Sequence, residues 1–212
     1  VWRAVCKQNG VILADYFEEF IDLIQVLHIH PVLPKNLNVA VVAAGGGIGV
    51  EFTDILSRAG INVKPLSEDS QNKLAKIFPG VNTNFSNPLD LGEYGYDPRL
   101  FEKAMQIVMQ DDDFGCIVFV REPDRFPLMM AAEGIDDPGQ MTVDSISNLL
   151  KKYDKPIFCN PSPNKDSIEA YELRKTFQDK MIKNGIPMIN NIINIPSVIK
   201  KLHNYYRFLQ SL

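Results

Sequence analysis

Two hydrophobic signatures take turns along the 212-residue chain. Short unbroken apolar runs end in glycine, asparagine or proline, and longer stretches carry apolar residues at helical spacing. The clearest run, residues 39–44 (VAVVAA), meets Gly45, Gly46 and Gly47, with Gly49 one step further and a helical pattern after it as far as Arg58. This predicts a buried parallel strand, a tight turn and a helix start. Further strands are expected over 61–66, 115–120, 156–160 and 187–189. Helices are expected over 1–8, from Asp15 to Pro31 with Phe17, Phe20, Ile21, Ile24 and Leu27 on one face, from Ser67 to Phe78, and over 97–110, 140–153, 166–184 and 195–210. Residues 79–91 (PGVNTNFSNPLDL) carry no clear period and are rich in turn formers. A connection of that length tends to be functional.

Strand and helix thus alternate about five times, which predicts a parallel sheet covered by helices on both faces. Ligands of such sheets sit beyond the carboxyl ends of the strands. The Gly45 turn, Asn87–Asp90, Arg121–Arg125 and Asn160–Asn164 all fall at such ends or close by.

Composition narrows the function without naming it. Hydrophobic residues at 45% and charged residues at 23% are those of an ordinary globular domain. A formal charge of -4 argues against general nucleic-acid or membrane-surface binding, so any anion must be held locally. No run is long enough to span a membrane. Cys6, Cys116 and Cys159 are far apart in sequence, and two of them lie in apolar runs. They are expected to be small buried residues in a reducing, cytoplasmic setting, with neither a disulfide framework nor a metal site. His28, His30 and His203 have no ligand set around them.

The candidate chemistry is anion binding. The first N–H groups of a helix lack intrahelical partners, and glycines let a ligand approach the backbone, so Gly45, Gly46, Gly47, Ile48 and Gly49 form a candidate phosphate site. The spacing is neither G-x-G-x-x-G nor a P-loop, and the glycines also serve close packing of strand on helix. Asn87, Pro88 and Asp90 are candidates for shaping the loop beside it. Arg121 is a candidate anion contact, as a guanidinium suits phosphate; Arg125 follows it, with Glu122 and Asp124 as neutralising neighbours. Asp54 is either a helix-orienting acid or simply solvated.

The segments AVCKQNGVILADYFEEFID, PVLPKNLNVAVVAAGGGIGVEFTDIL, AGINVKPLSEDSQNKLAKIFP and NPLDL, in that order, resemble the ligase-CoA domain of NDP-forming (ADP-forming) acyl-CoA synthetases. They are more distantly similar to the carboxyl-terminal domain of the succinyl-CoA synthetase beta subunit. The resemblance implies an α/β, flavodoxin-like doubly wound sheet of about five parallel strands with helices on both faces. It also implies that residues 37–212 are the ligase domain and residues 1–36 a helical lead-in from a preceding domain. In the family, acyl-CoA, ADP and phosphate are interconverted with a carboxylic acid, CoA and ATP through an acyl phosphate and a phosphohistidine. The helix starting at Gly46–Gly49 resembles one of two whose N-termini face that phosphohistidine. Ala44 and Gly45 stand where relatives often have asparagine and a small residue.

The family's His-Thr-Gly segment, expected upstream, has no counterpart here, so no catalytic residue is assigned in this chain. The chain begins at Val1 within a helical pattern and is expected to be part of a longer protein, inactive alone. CoA, ATP or ADP and magnesium are cofactors of the whole enzyme, none held by this chain alone. Its expected partners are CoA-binding and ATP-grasp domains or subunits and a small carboxylic acid or acyl-CoA, in an oligomer. The alternative is a non-catalytic acyl-CoA-sensing domain fused to a lysine acetyltransferase.

Overall fold

A computed structural model describes residues 1–212, the side chain of Ala132 excepted. Helices α1 (Trp2–Gln8) and α2 (Phe17–Ile29) lead to strand β1 (Val39–Ala43) and helix α3 (Gly46–Arg58). Then come α4 (Glu68–Ala75), a two-residue strand β2 (Leu89–Asp90), α5 (Pro98–Gln110) and β3 (Cys116–Arg121). The second half runs α6 (Phe126–Met130), α7 (Pro138–Leu150), β4 (Ile157–Pro161), α8 (Ile168–Lys183) and α9 (Ile195–Leu209). Caps explain several starts: Ser67, Asp97, Asp137 and Ser167 each accept a backbone N–H of the helix they open.

The sheet is parallel, in the order β2-β1-β3-β4, with Val39 opposite Cys116 and Ile117 opposite Ile157. Every residue of β1 and β3 is buried. Alternate positions serve two cores: Ala40, Val42, Ile117 and Phe119 meet α4, α5, α7 and α8, while Val39, Val41, Val118 and Val120 meet α2, α3 and α9. The doubly wound α/β arrangement follows from strands apolar on both faces.

Besides the short β2 and α6, which the sequence pattern did not announce, three segments differ from the expectation. Residues 61–66 contribute only an isolated bridge, Asn62 to Asn38, and 187–189 only a bridge from Met188 to Cys159, so the sheet has four strands. Pro65 has no N–H to give a ladder, and the edge of β1 beyond Asn62 is taken by the Asn87 side chain. Its Nδ2 donates to the carbonyls of Val39 (2.9 Å) and Lys64 (2.8 Å), and its Oδ1 accepts the Val41 N–H at 2.9 Å. One amide thus replaces a stretch of strand between β1 and the 61–66 segment. In α2 the inward face is Leu23 and Val26, whereas Phe17, Phe20, Ile21 and Ile24 are exposed. The buried carboxylate of Glu19, held by Lys201 at 2.5 Å and by Ser197, sets that rotation.

Candidate functional site

At the end of β1 the chain turns sharply into α3, and Gly45 takes φ 150° and ψ 125°, a conformation that side chains disfavour. Its N–H donates to Asp90 Oδ1 at 2.9 Å, and the Gly92 N–H donates to the same oxygen at 2.9 Å. The loop lies close against the helix start. A Cβ at Gly46 would stand 3.1 Å from Asp90 Oδ2, and one at Gly49 would stand 3.1 Å from Pro88 Cβ. Nothing lies within 4 Å of the Cβ direction at Gly47. The first bond of α3 runs from the Gly49 N–H to the Gly45 carbonyl at 3.3 Å. No side chain caps the helix and no acid occupies its first turn, so the N–H groups of Gly46, Gly47 and Ile48 begin an uncapped helix, Gly46 and Gly47 being exposed.

Hydrogen bonds carry this turn across to β3. Tyr96, buried at the end of a 3-10 turn (Gly92–Tyr96), places its hydroxyl 3.4 Å from the Ala44 carbonyl oxygen and donates to Glu122 Oε2. The same hydroxyl accepts from Arg125 Nη1 at 3.2 Å. Arg125 Nε donates to Asn164 Oδ1 at 2.7 Å, and Asp124 Oδ2 accepts the backbone N–H groups of Asn164 and Lys165 at 3.1 and 2.8 Å. All four segments singled out at strand ends therefore meet at one end of the sheet. Burial, reinforced by Glu122, pushes the Tyr96 phenol up to about 12. A phenol held neutral in this way stabilises the fold below its ordinary pKa near 10, and that contribution is lost as pH rises through 12. A spectrophotometric alkaline titration should show one phenol ionising only near 12, a step that Tyr96→Phe removes.

Arg121 does not reach this surface, contrary to its expected role as an anion contact. Only 2% of it is exposed, and its guanidinium lies between the rings of Phe101 (4.2 Å) and Phe126 (4.8 Å). It donates to the Gly95 carbonyl and, at 3.4 Å, to Thr142, while Nε has no partner. Desolvation pulls it down to about 10. Arg125, with 41% of its side chain exposed, is the arginine beside the turn. Tyr96 was not singled out from the sequence, where a tyrosine in GEYGYDP carries no helical or strand period. Asp54 pairs with Arg58 at 2.7 Å on the exposed side of α3. The three cysteines are buried and unbridged, and burial raises the Cys116 and Cys159 thiols. Among the described residues no group of three or more His, Cys, Asp or Glu is placed to hold a metal ion, and no helix is long and apolar enough to cross a membrane.

Sheet and turn together define a doubly wound α/β domain with an open helix N-terminus at the carboxyl end of its central strand. No protein-family model matches the chain. Over 208 residues it is 26% identical to acetate–CoA ligase (ADP-forming) II of Archaeoglobus fulgidus, which covers 97% of this chain but 28% of that protein. Two solved structures share the fold. PH0766 from Pyrococcus horikoshii OT3 superposes with a TM-score of 0.79 at 19% identity, covering 98% of this chain and 44% of that one. The dinucleotide-forming acetyl-coenzyme A synthetase 1 of Ca. Korarchaeum cryptofilum, solved in complex with phosphate and ADP, gives 0.74 at 21%, covering 100% and 42%. The chain is a homologue of one segment of the ADP-forming acyl-CoA ligases. It spans about a quarter of the length of the first curated relatives it matches.

Proposed function

We propose that this chain is the part of an ADP-forming acyl-CoA synthetase that presents a helix N-terminus to the phosphate. In the whole enzyme, phosphate displaces CoA from an acyl-CoA to give an acyl phosphate. The phosphoryl group passes to a histidine, releasing the carboxylic acid, and then to ADP. The histidine, the CoA site, and the ATP-grasp module with its magnesium belong to other parts of that enzyme, and residues 1–36 are the lead-in from one of them to the domain at 37–212.

The observation that carries this reading is the uncapped start of α3. Gly46 and Gly47 are exposed residues, and the helix has neither a side-chain cap nor an acid in its first turn, which suits a dianion through backbone donors and the helix dipole. Asp90 acts indirectly, fixing the turn through Gly45 and Gly92. Arg125 takes the role first given to Arg121. Its guanidinium is held by Tyr96 and Asn164 and lies 3.5 Å from Glu122, with 41% of the side chain exposed, and in this reading it shares the anion with the helix start.

The test is an amide NMR titration of the chain with inorganic phosphate. Saturable shifts are expected at residues 45–50 and 87–91, and an absence of shifts there at tens of millimolar phosphate would sink the reading. Arg125→Ala should weaken the phosphate response about three- to tenfold, the value of one charge-assisted contact, without moving the Gly45–Asp90 bond. An unchanged affinity would remove Arg125 from the site.

A further inference from the structure

A second opening, of about 640 Å³, lies away from the Gly45 turn, between α1, the extended residues that follow it and the last turns of α9. Its lining includes the hydrophobic and aromatic side chains of Ile12, Leu13, Tyr205 and Phe208. The Phe208 ring sits directly on Gly10, where a Cβ would stand 2.3 Å from ring carbons, so only glycine lets α9 close on the chain there. The lining also carries four cations, Arg3, Lys7, Lys201 and Arg207, against the single carboxylate of Asp15. Asp15 is already engaged by Arg3 at 3.0 Å and Lys201 at 2.8 Å, and Lys201 also holds Glu19. Among the described residues, Lys7 and Arg207 have no carboxylate within 4 Å.

Each of these two cations occupies the last turn of its helix, where it complements the carbonyl end. That effect is small at an exposed helix end. It does not explain why two cations without a carboxylate partner line the same cleft as two aromatic rings in a chain of net charge -4. A cleft of this size, with apolar and aromatic side chains beside a few charged groups, has room for a small ligand. Half-buried aromatic rings offer a stacking surface for a planar base, and unpaired cations offer contacts to phosphate.

We propose that the cleft binds a nucleoside phosphate, with the base over Tyr205 and Phe208 and the phosphates between Lys7 and Arg207. This site is distinct from the Gly45 turn and does not depend on the phosphate reading of that turn.

The test is an amide NMR titration of the whole chain with ADP, adenosine and inorganic phosphate in turn. ADP should shift residues 10–13 and 205–211 saturably, and adenosine alone should bind them at least about tenfold more weakly, since it lacks the charge-assisted contacts. The double variant Lys7→Gln, Arg207→Gln alters two exposed side chains. It should lower ADP affinity about tenfold while leaving the rest of the spectrum in place. The proposal is overturned if ADP leaves residues 10–13 and 205–211 unmoved, or if the variant binds ADP as the parent does. Shifts at residues 45–50 in the same spectra report the other site separately.

Discussion

Replacing Asn87 with alanine is expected to lower the free energy of unfolding by about 3 kcal/mol. The substitution removes three hydrogen bonds at once. It strands the Val41 N–H and the Val39 carbonyl inside the sheet, and it frees the 61–66 segment from β1 by removing the donor to the Lys64 carbonyl. Unpaired backbone groups cost more than the bonds themselves gain, because each has given up water on folding. Denaturant unfolding should show a lower midpoint at an unchanged slope, the mark of lost stability without a change in the surface exposed. Asn87→Asp is a sharper case. It keeps an acceptor for Val41 but removes both donors and places a charge beside two carbonyl oxygens, so it should be no better than alanine. A loss below about 1 kcal/mol in both variants would mean that β1 keeps its edge without the Asn87 amide.

Gly47→Asp is expected to separate binding from folding. Position 47 is exposed, helical and open, with no atom within 4 Å of an added Cβ. An aspartate there removes a helical glycine and places an acid in the first turn of α3, so stability should hold or rise by about 0.5–1 kcal/mol. Its carboxylate would stand beside the place where the proposed anion is held. Repulsion between charges some 6 Å apart in partly screened surroundings amounts to roughly 1–2 kcal/mol, so phosphate affinity should fall about tenfold or more. Gly47→Ala, which adds only the methyl group, should bind phosphate within about twofold of the parent. If the aspartate variant still took up phosphate normally, the helix start would not be the anion site, and the glycines would serve only to pack Pro88 and Asp90 against α3.

Sequence alone determined the elements whose causes are local. The run at 39–43 is apolar on both faces and is therefore a central strand. Gly45 follows because the chain must turn there with a positive φ, and Asp97-Pro98 announces α5 through a cap and a residue preset for the first turn. Alternating strands and helices also placed the four segments at or near strand carboxyl ends, while their meeting through Asp90, Tyr96, Arg125 and Asn164 was decided by the tertiary structure. The matters only the tertiary structure decided rest on contacts between residues distant in sequence. Residues 61–66 read as a strand, but their neighbour along β1 is the side chain of Asn87, which no period in the sequence reveals. The outward face of α2 depends on where Lys201, 182 residues beyond Glu19, brings its ammonium. Arg121 follows a strand and reads as a surface cation, yet Phe101 and Phe126 close over it, leaving Arg125 exposed beside the turn. Hydrophobic period records which way a residue faces within its own element, whereas burial of a charge or capture of a strand edge depends on what other elements bring to it.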